Sequence, residues 1–521
     1  MGYLKHSSAV LALMAGIYGT AQAGEVTLIA KDGSTAITGE FMAYEEGVFT
    51  LKTRFGVMRI DGDKTDCNGG DCPAAVSQSD VSIAGSETVG EALMPLLLEG
   101  FAGTQNGLVE LGQNGGIGPM LASLTADSGY GDPIGTFAVS STSSADAFDA
   151  LLERGAEIGM SSRRITPQEA RALRRDGGGN MIDVKQERVV AVDSIVVVVH
   201  PSNPVQRISL ENLDRIYSGG VTNWAQLGGT DAPIRVIGRS DDSGTGRTFE
   251  ERVFAESGRT RAATVEVASS NEEVAAAVAN DPNAVGYVGH AYKRGNKALA
   301  LAGNCNITSF PDAFSAKTEE YPLQRRLYLY SRADTLSPTG EALLEFAASD
   351  EADNVVAKAG FIDLGIDRIV QDDPGGRMRD LIQNTVDPYE FSLMRELLVE
   401  MLQYDRLSTT FRFASGSSQL DGKGLLDLER LVEFLEAQPK GTKIALVGFT
   451  DADGAFDANQ QLSLVRARQV AATIDELMGA RVAHVDFEAR GFGEFSPTAC
   501  NDTLDGKRIN RRVEVWIGKQ G

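Results

Sequence analysis

Histidine and cysteine are both scarce in this chain, four of each in 521 residues. His6, His200, His290 and His484 stand apart, with no metal-ligand spacing among them, so the sequence predicts no metal centre. A Gly-x-Ser-x-Gly elbow is missing, and the Gly238-Arg239-Ser240 turn has no evident histidine partner, which leaves nucleophilic hydrolysis without support. Asp241-Asp242, beside an arginine and a helix start, reads as a capping or orienting pair rather than an acid–base pair. The expectation is a binding protein, not an enzyme, with no cofactor. Positive charge is also short: 49 Lys and Arg against 72 Asp and Glu give a formal net charge of −23. A field of that sign repels phosphate backbones and argues against nucleic acid as a partner. A small anion remains admissible, but only at a local site built from dipoles and one or two arginines. Beyond residue 23 no apolar run approaches the ~20 residues needed to span a bilayer.

Residues 1–23 read as a cleavable signal peptide. Lys5 precedes the apolar run Ala9 to Ile17, and Ala21-Gln22-Ala23 supplies the small-x-small cleavage pattern, so export is expected. Oxidising surroundings suit cysteine pairing. Cys67 and Cys72 enclose the tight loop Cys-Asn-Gly-Gly-Asp-Cys and are expected to form a disulfide. Cys305 and Cys500 either pair with each other and staple two domains or remain free.

Residues 24–78 alternate short β-rich runs with turns, among them Val26 to Ala30, Gly39 to Tyr44, Val48 to Thr53 and Gly56 to Asp61. The spacing suits a small antiparallel barrel or curled sheet. No chemistry is visible in it; an adaptor module and a plain structural extension fit equally well.

From residue 79 strands and helices alternate, and the strand ends carry hydroxyl-rich turns. Val81 to Ala84 leads into Gly85-Ser86-Glu87-Thr88-Val89-Gly90, and Gly135 to Val139 leads into Ser140 to Ser144. Glu157 to Met160 leads into Ser161-Ser162-Arg163-Arg164, with Thr166-Pro167-Gln168-Glu169 as a capped helix start. Pro233 to Ile237 leads into Gly238-Arg239-Ser240-Asp241-Asp242-Ser243-Gly244-Thr245-Gly246-Arg247. A turn feeding a helix N-terminus gathers free N–H groups that attract an anion. Arg239 adds the fork geometry that grips a tetrahedral oxyanion. One such turn is an ordinary cap; four in one region suggest a shared ligand.

These turns, together with Ala191 to Pro204, Ile216 to Trp224 and Ala284 to Gly289, resemble the phosphate-binding periplasmic receptors of ABC importers. The likeness covers roughly residues 80–370. It implies a type II periplasmic binding fold, two αβ lobes joined by crossover strands and closing on an anion. It also implies ligand contacts from Ser86, Thr88, a serine of the 140–144 cluster, Ser162, Arg239, Ser243, Gly244 and Thr245. Within the cluster Ser143 and Ser144 are chosen for their place beside the helix start. Arg163 is a candidate for reaching the anion or clamping the lobes. Where family members often keep an aspartate that accepts the ligand's proton, this chain has Ser162. Glu87 stands where a hydroxyl is usual, and is either a substitute acceptor or an outward-facing helix acid.

Residues 371–405 read as a linker, with the breaker run Asp372-Asp373-Pro374-Gly375-Gly376-Arg377, followed by a helix. Residues 406–521 have their own signature. Thr450-Asp451, the run from Asn459 to Ala467 and Asn510-Arg511-Arg512-Val513 closely resemble the OmpA-like peptidoglycan-binding domain. Asp451 suits the ammonium, and Arg466 the carboxylate, of a zwitterionic stem-peptide end; Asn459 and Arg512 are supporting candidates.

The reading is a multidomain α/β protein: a small N-terminal β module (24–78), a two-lobed type II periplasmic binding fold (79–370) and a C-terminal OmpA-like α/β domain. It is expected to capture phosphate or a related oxyanion in the periplasm and to hold peptidoglycan, which associates it with the cell wall and outer membrane. Partners implied by the resemblance include an ABC permease or another envelope protein. The alternative is an envelope scaffold whose receptor-like domain binds protein partners instead of an anion.

Overall fold

The computed structural model describes residues 25–30, 35–45, 48–61, 64–68, 79–113, 118–127, 133–240, 243–303, 305, 307–371, 388–413 and 422–519. The expected signal peptide and the Asp241-Asp242 pair lie outside them. Contacts divide the chain into Met1–Gln78 and Ser79–Gly521.

Within the first unit, five strands form an antiparallel sheet ordered Gly56–Asp61, Val48–Thr53, Ala36–Glu45, Glu25–Ala30, Thr65–Asn68. Alternation sends Val26, Leu28, Phe49 and Leu51 to one small core, as a period of two requires. Cys67 is disulfide-bonded; Cys72, its expected partner, lies outside the described residues.

Within the second unit, a continuous sheet runs through two lobes. In the first lobe Val81–Ser86 lies between Pro133–Thr142 and Ile158–Ser161, parallel to both. All three therefore deliver their C-terminal ends, and the turns that follow, to one edge. Gly85 allows this packing: at φ +130, a Cβ there would sit 2.2 Å from the Met160 carbonyl oxygen. In the second lobe Arg235–Arg239 pairs in parallel with Ala284–Gly289 and Glu266–Ala268. Two long strands join the lobes. Glu187–Val199 pairs through its first half with Gln324–Ser331 and through its second half with Ala284–Gly289. Its near-continuous valine run is buried on both faces, the pattern of a covered central strand. Separate apolar cores fill the lobes, one around Phe101, Phe137 and Leu343, the other around Trp224, Phe249 and Tyr287.

The C-terminal domain is a five-stranded sheet ordered Arg368–Val370, Tyr404–Arg412, Arg512–Gly518, Lys443–Phe449, Asp486–Gly491. Lys443–Phe449 and Asp486–Gly491 are parallel and are connected through the long helix Phe456–Met478. One element differs from the sequence reading. Arg368–Val370, ahead of the expected connection, pairs with Tyr404–Arg412 and so belongs to this sheet. The helix Pro388–Gln403 also packs on it, with Met394, Leu397 and Met401 beside Ala445, Phe449 and Trp516.

Candidate functional site

The four turns converge where the lobes meet. Ser144 begins the helix Ser144–Leu152, and its Oγ lies 3.1 Å from Ser162 Oγ and accepts the Ser162 backbone N–H at 3.0 Å. Opposite them, Gly244 begins the helix Gly244–Val253. A Cβ on Gly244 would fall 2.9 Å from Ser162 Oγ, so any larger residue there would push the Ser162 hydroxyl aside. The gap bounded by Ser144, Ser162, Gly244 and Thr248 measures about 10 Å³, room for barely one water. The two lobes thus approach each other closely at this point.

Ser86, Thr88, Ser144, Ser162, Arg239, Ser243 and Thr245 are all buried. Two guanidiniums are buried with them. Arg239, 1% exposed, donates from Nη2 to the Ser269 carbonyl at 3.1 Å and lies 3.7 Å from Glu87 Oε1 across the lobes. Burial pushes its pKa below the ordinary arginine value, and the Glu87 carboxylate opposes that. Arg325 was not anticipated from sequence. It donates from Nε and Nη2 to Asp193 Oδ2 at 2.9 and 2.7 Å, and from Nη2 to Thr245 Oγ1 at 3.0 Å and Thr88 Oγ1 at 3.4 Å. One side chain thus touches the hinge, the second lobe and the first. Arg239 Nε and Nη1, and Arg325 Nη1, are buried without a hydrogen-bond partner among the described residues. Unsatisfied buried donors are costly, and a shared oxyanion is the chemistry that would satisfy all three.

Ser143 and Arg163 also line this gap, each held by a partner of its own. Ser143 is the N-cap of its helix, accepting the Asp146 N–H at 3.2 Å while Asp146 accepts the Ser143 N–H at 3.1 Å. In Arg163 both terminal nitrogens donate to Glu169, at 2.9 and 2.7 Å. That hydrogen-bonded pair raises the arginine's pKa. Glu169 also closes the helix cap at Thr166, so Arg163 braces the first lobe.

In the C-terminal domain Asp451, just past the strand Lys443–Phe449, is paired with Arg511, a residue the sequence reading did not single out. Arg511 Nη1 donates to Asp451 Oδ2 at 2.6 Å. Arg466, 1% exposed, stands over the Phe413 ring at 5.4 Å. Burial and then Arg511 push its pKa down, and Asp451 opposes them. Asn459 donates to Glu494 Oε2 at 2.8 Å and to the Asp451 carbonyl at 3.3 Å, which ties the loop to the helix. Arg512, the other supporting candidate, lies in the interior. Fully buried, it donates to Glu514 at 2.7 Å and to the Ser496 carbonyl at 2.8 Å, and lies 4.3 Å from the Phe449 ring. Neighbouring arginines diverge here because Arg511 ends a helix while Arg512 opens a strand.

Comparison with known proteins agrees with this division. The PBP superfamily domain profile matches residues 73–351, and the OmpA family profile residues 412–511. "Phosphate-binding protein PstS" of Bacillus subtilis is 30% identical over 197 residues, 37% of this chain and 63% of its own length. The protein of the same name from Pseudomonas aeruginosa PAO1 is 30% identical over 243 residues, 43% of this chain and 73% of its own length. The solved ABC-type phosphate transport receptor of Vibrio cholerae is 24% identical with a TM-score of 0.42, covering 54% of this chain and 99% of that one.

Proposed function

Because the chain belongs to the PBP superfamily and carries an OmpA family domain, we propose that it captures phosphate or a related oxyanion between its lobes while the C-terminal domain holds peptidoglycan. The observation that carries the anion reading is the pair of buried guanidiniums, Arg239 and Arg325, with three donor atoms unpartnered at the meeting of both lobes. Ser86, Thr88, Ser144, Ser162, Ser243, Gly244 and Thr245 complete the proposed contact set, each a hydroxyl or amide donor. Ligand contacts drawn from both lobes favour the closed arrangement, so binding would shift the population toward it. The wall reading rests on Asp451 and Arg466, a carboxylate on a loop and a guanidinium on the helix that follows, matched to the two ends of a zwitterionic amino acid. Arg511 joins them as the partner that a ligand ammonium would displace from Asp451.

Thermal unfolding with phosphate, sulfate, molybdate and buffer alone tests the anion half. A ligand at a hundred times its Kd stabilises the fold by about 2.7 kcal/mol, which gives a clear rise in Tm. A selective rise with one oxyanion supports capture. No rise with any of them favours the scaffold reading, in which the receptor-like domain engages protein partners.

A further inference from the structure

The C-terminal domain is attached to both lobes at once. On the second lobe, Cys500 forms a disulfide with Cys305, and Asp505 lies 3.4 Å from Arg252. Just before the crossover strand Gln324–Ser331, Glu320 takes Arg406 of the C-terminal sheet at 2.6 Å. Burial pushes the Glu320 carboxyl up, but Arg406, helped by Arg512, pulls it back, so the pKa falls below the ordinary carboxylate value.

On the first lobe the attachment is Arg430, from the helix Gly422–Glu436, whose Leu428, Leu431 and Leu435 lie in the C-terminal core. Its Nη2 donates to the Ala348 carbonyl at 2.7 Å, and its Nη1 lies 3.2 and 3.3 Å from Asp350 and Asp353. Those acceptors border Phe346, Ala352 and Val356 of the first-lobe core. The disulfide loop also reaches the wall pocket: Asn501 Oδ1, next to Cys500, accepts the Ala452 N–H at 3.3 Å, beside Asp451.

Resting on the anion-capture reading above, we infer that the C-terminal domain is a brace across the two lobes. The Cys305–Cys500 bridge fixes it to one lobe and Arg430 to the other, so that opening the cleft must break the Arg430 contacts. The brace favours the closed arrangement, and anion affinity depends on the bridge being oxidised. Affinity scales with the fraction of molecules in the competent arrangement, and the linkage is reciprocal between the two sites.

The test is phosphate affinity by calorimetry on the full chain, oxidised and reduced with dithiothreitol, with Cys305→Ser/Cys500→Ser and Arg430→Ala alongside. The double serine variant and Arg430→Ala should each weaken phosphate binding roughly three- to ten-fold. Dithiothreitol should weaken the wild type equally and leave the double serine variant unchanged, which separates this bridge from Cys67. Phosphate binding that is equal in all forms overturns the brace while leaving anion capture intact. If the oxidised wild type binds no phosphate, the capture reading fails first. Hydrogen exchange then judges the brace without a ligand: faster exchange at 86–88 and 243–246 on reduction supports it, and unchanged exchange overturns it.

Discussion

The interlobe cleft and the C-terminal pocket both set guanidinium against carboxylate, yet they satisfy their charges differently. In the pocket, Asp451 already holds Arg511 at 2.6 Å, and every element involved belongs to one domain. In the cleft, Asp193 occupies two nitrogens of Arg325, Glu87 stands at 3.7 Å from Arg239, and buried donors are left over. A site assembled from one rigid domain can pair its charges internally and exchange a partner when a ligand arrives. A site split across two moving lobes can keep donors in reserve, because parting the lobes returns them to water.

The contrast is broken most forcefully at the hinge. Asp193 is fully buried and takes both Nε and Nη2 of Arg325. Arg325→Met strands that carboxylate and is expected to cost about 3–5 kcal/mol of stability in a denaturant titration. Arg239→Met removes a guanidinium whose nearest ion-pair partner among the described residues is the partly exposed Glu87, at 3.7 Å. It should spare stability and weaken phosphate binding at least ~100-fold, about 2.7 kcal/mol. Sedimentation with purified peptidoglycan should be unchanged in the Arg239 variant. Equal phosphate affinity in that variant and the wild type would sink the assignment of the cleft.

A second substitution approaches the comparison from the other side. Asp451→Ala removes the proposed ammonium acceptor and leaves Arg466 and Arg511 facing each other without it. Peptidoglycan co-sedimentation is expected to fall about ten-fold or more, on the order of 1.5–3 kcal/mol for a charged hydrogen bond, with phosphate affinity unaltered. Retention of the variant in the pellet at the wild-type level would remove Asp451 from the contact set. Replacing Arg512 instead should lower stability without a selective loss of wall binding, since its partners Glu514 and Ser496 are interior.

What was legible in the sequence follows from the range of the interactions concerned. Strand ends followed by hydroxyl-rich turns are local patterns, and Ser86, Thr88, Ser144, Ser162 and Ser243 to Thr245 are buried or half-buried where the lobes meet. Arg325 escaped notice because it sits in the alternating strand Gln324 to Ser331, where a charged residue reads as an exposed face. Only pairing with Glu187–Val199 places it beside Asp193. A charged residue inside an apolar run, such as Asp193 between Val192 and Ile195, was the available signal. The Arg163–Glu169 pair was hidden for a related reason: the capping box that marked the helix also supplies the carboxylate that holds this arginine. Between Arg511 and Arg512 the sequence offers no choice until the helix end and strand start are located. The Cys305–Cys500 pair, 195 residues apart, was open to two readings because neither cysteine has a local partner.

The smallest effect is expected at Glu87, and it bears on which anion the cleft prefers. Its side chain is 37% exposed and stands 3.7 Å from Arg239, close enough to the proposed anion contacts for its charge to be felt but partly screened by solvent. A carboxylate at that place repels a fully ionised sulfate, yet can accept a hydrogen bond from monohydrogen phosphate. Glu87→Gln keeps the shape and removes the charge. The ratio of phosphate to sulfate affinity should drop by a few-fold, about 1 kcal/mol or less at such exposure, chiefly because sulfate binds more tightly. Calorimetry with both anions on wild type and variant measures that ratio directly. If it does not move, Glu87 acts only as a first-turn helix acid, and selectivity has to come from the hydroxyls alone.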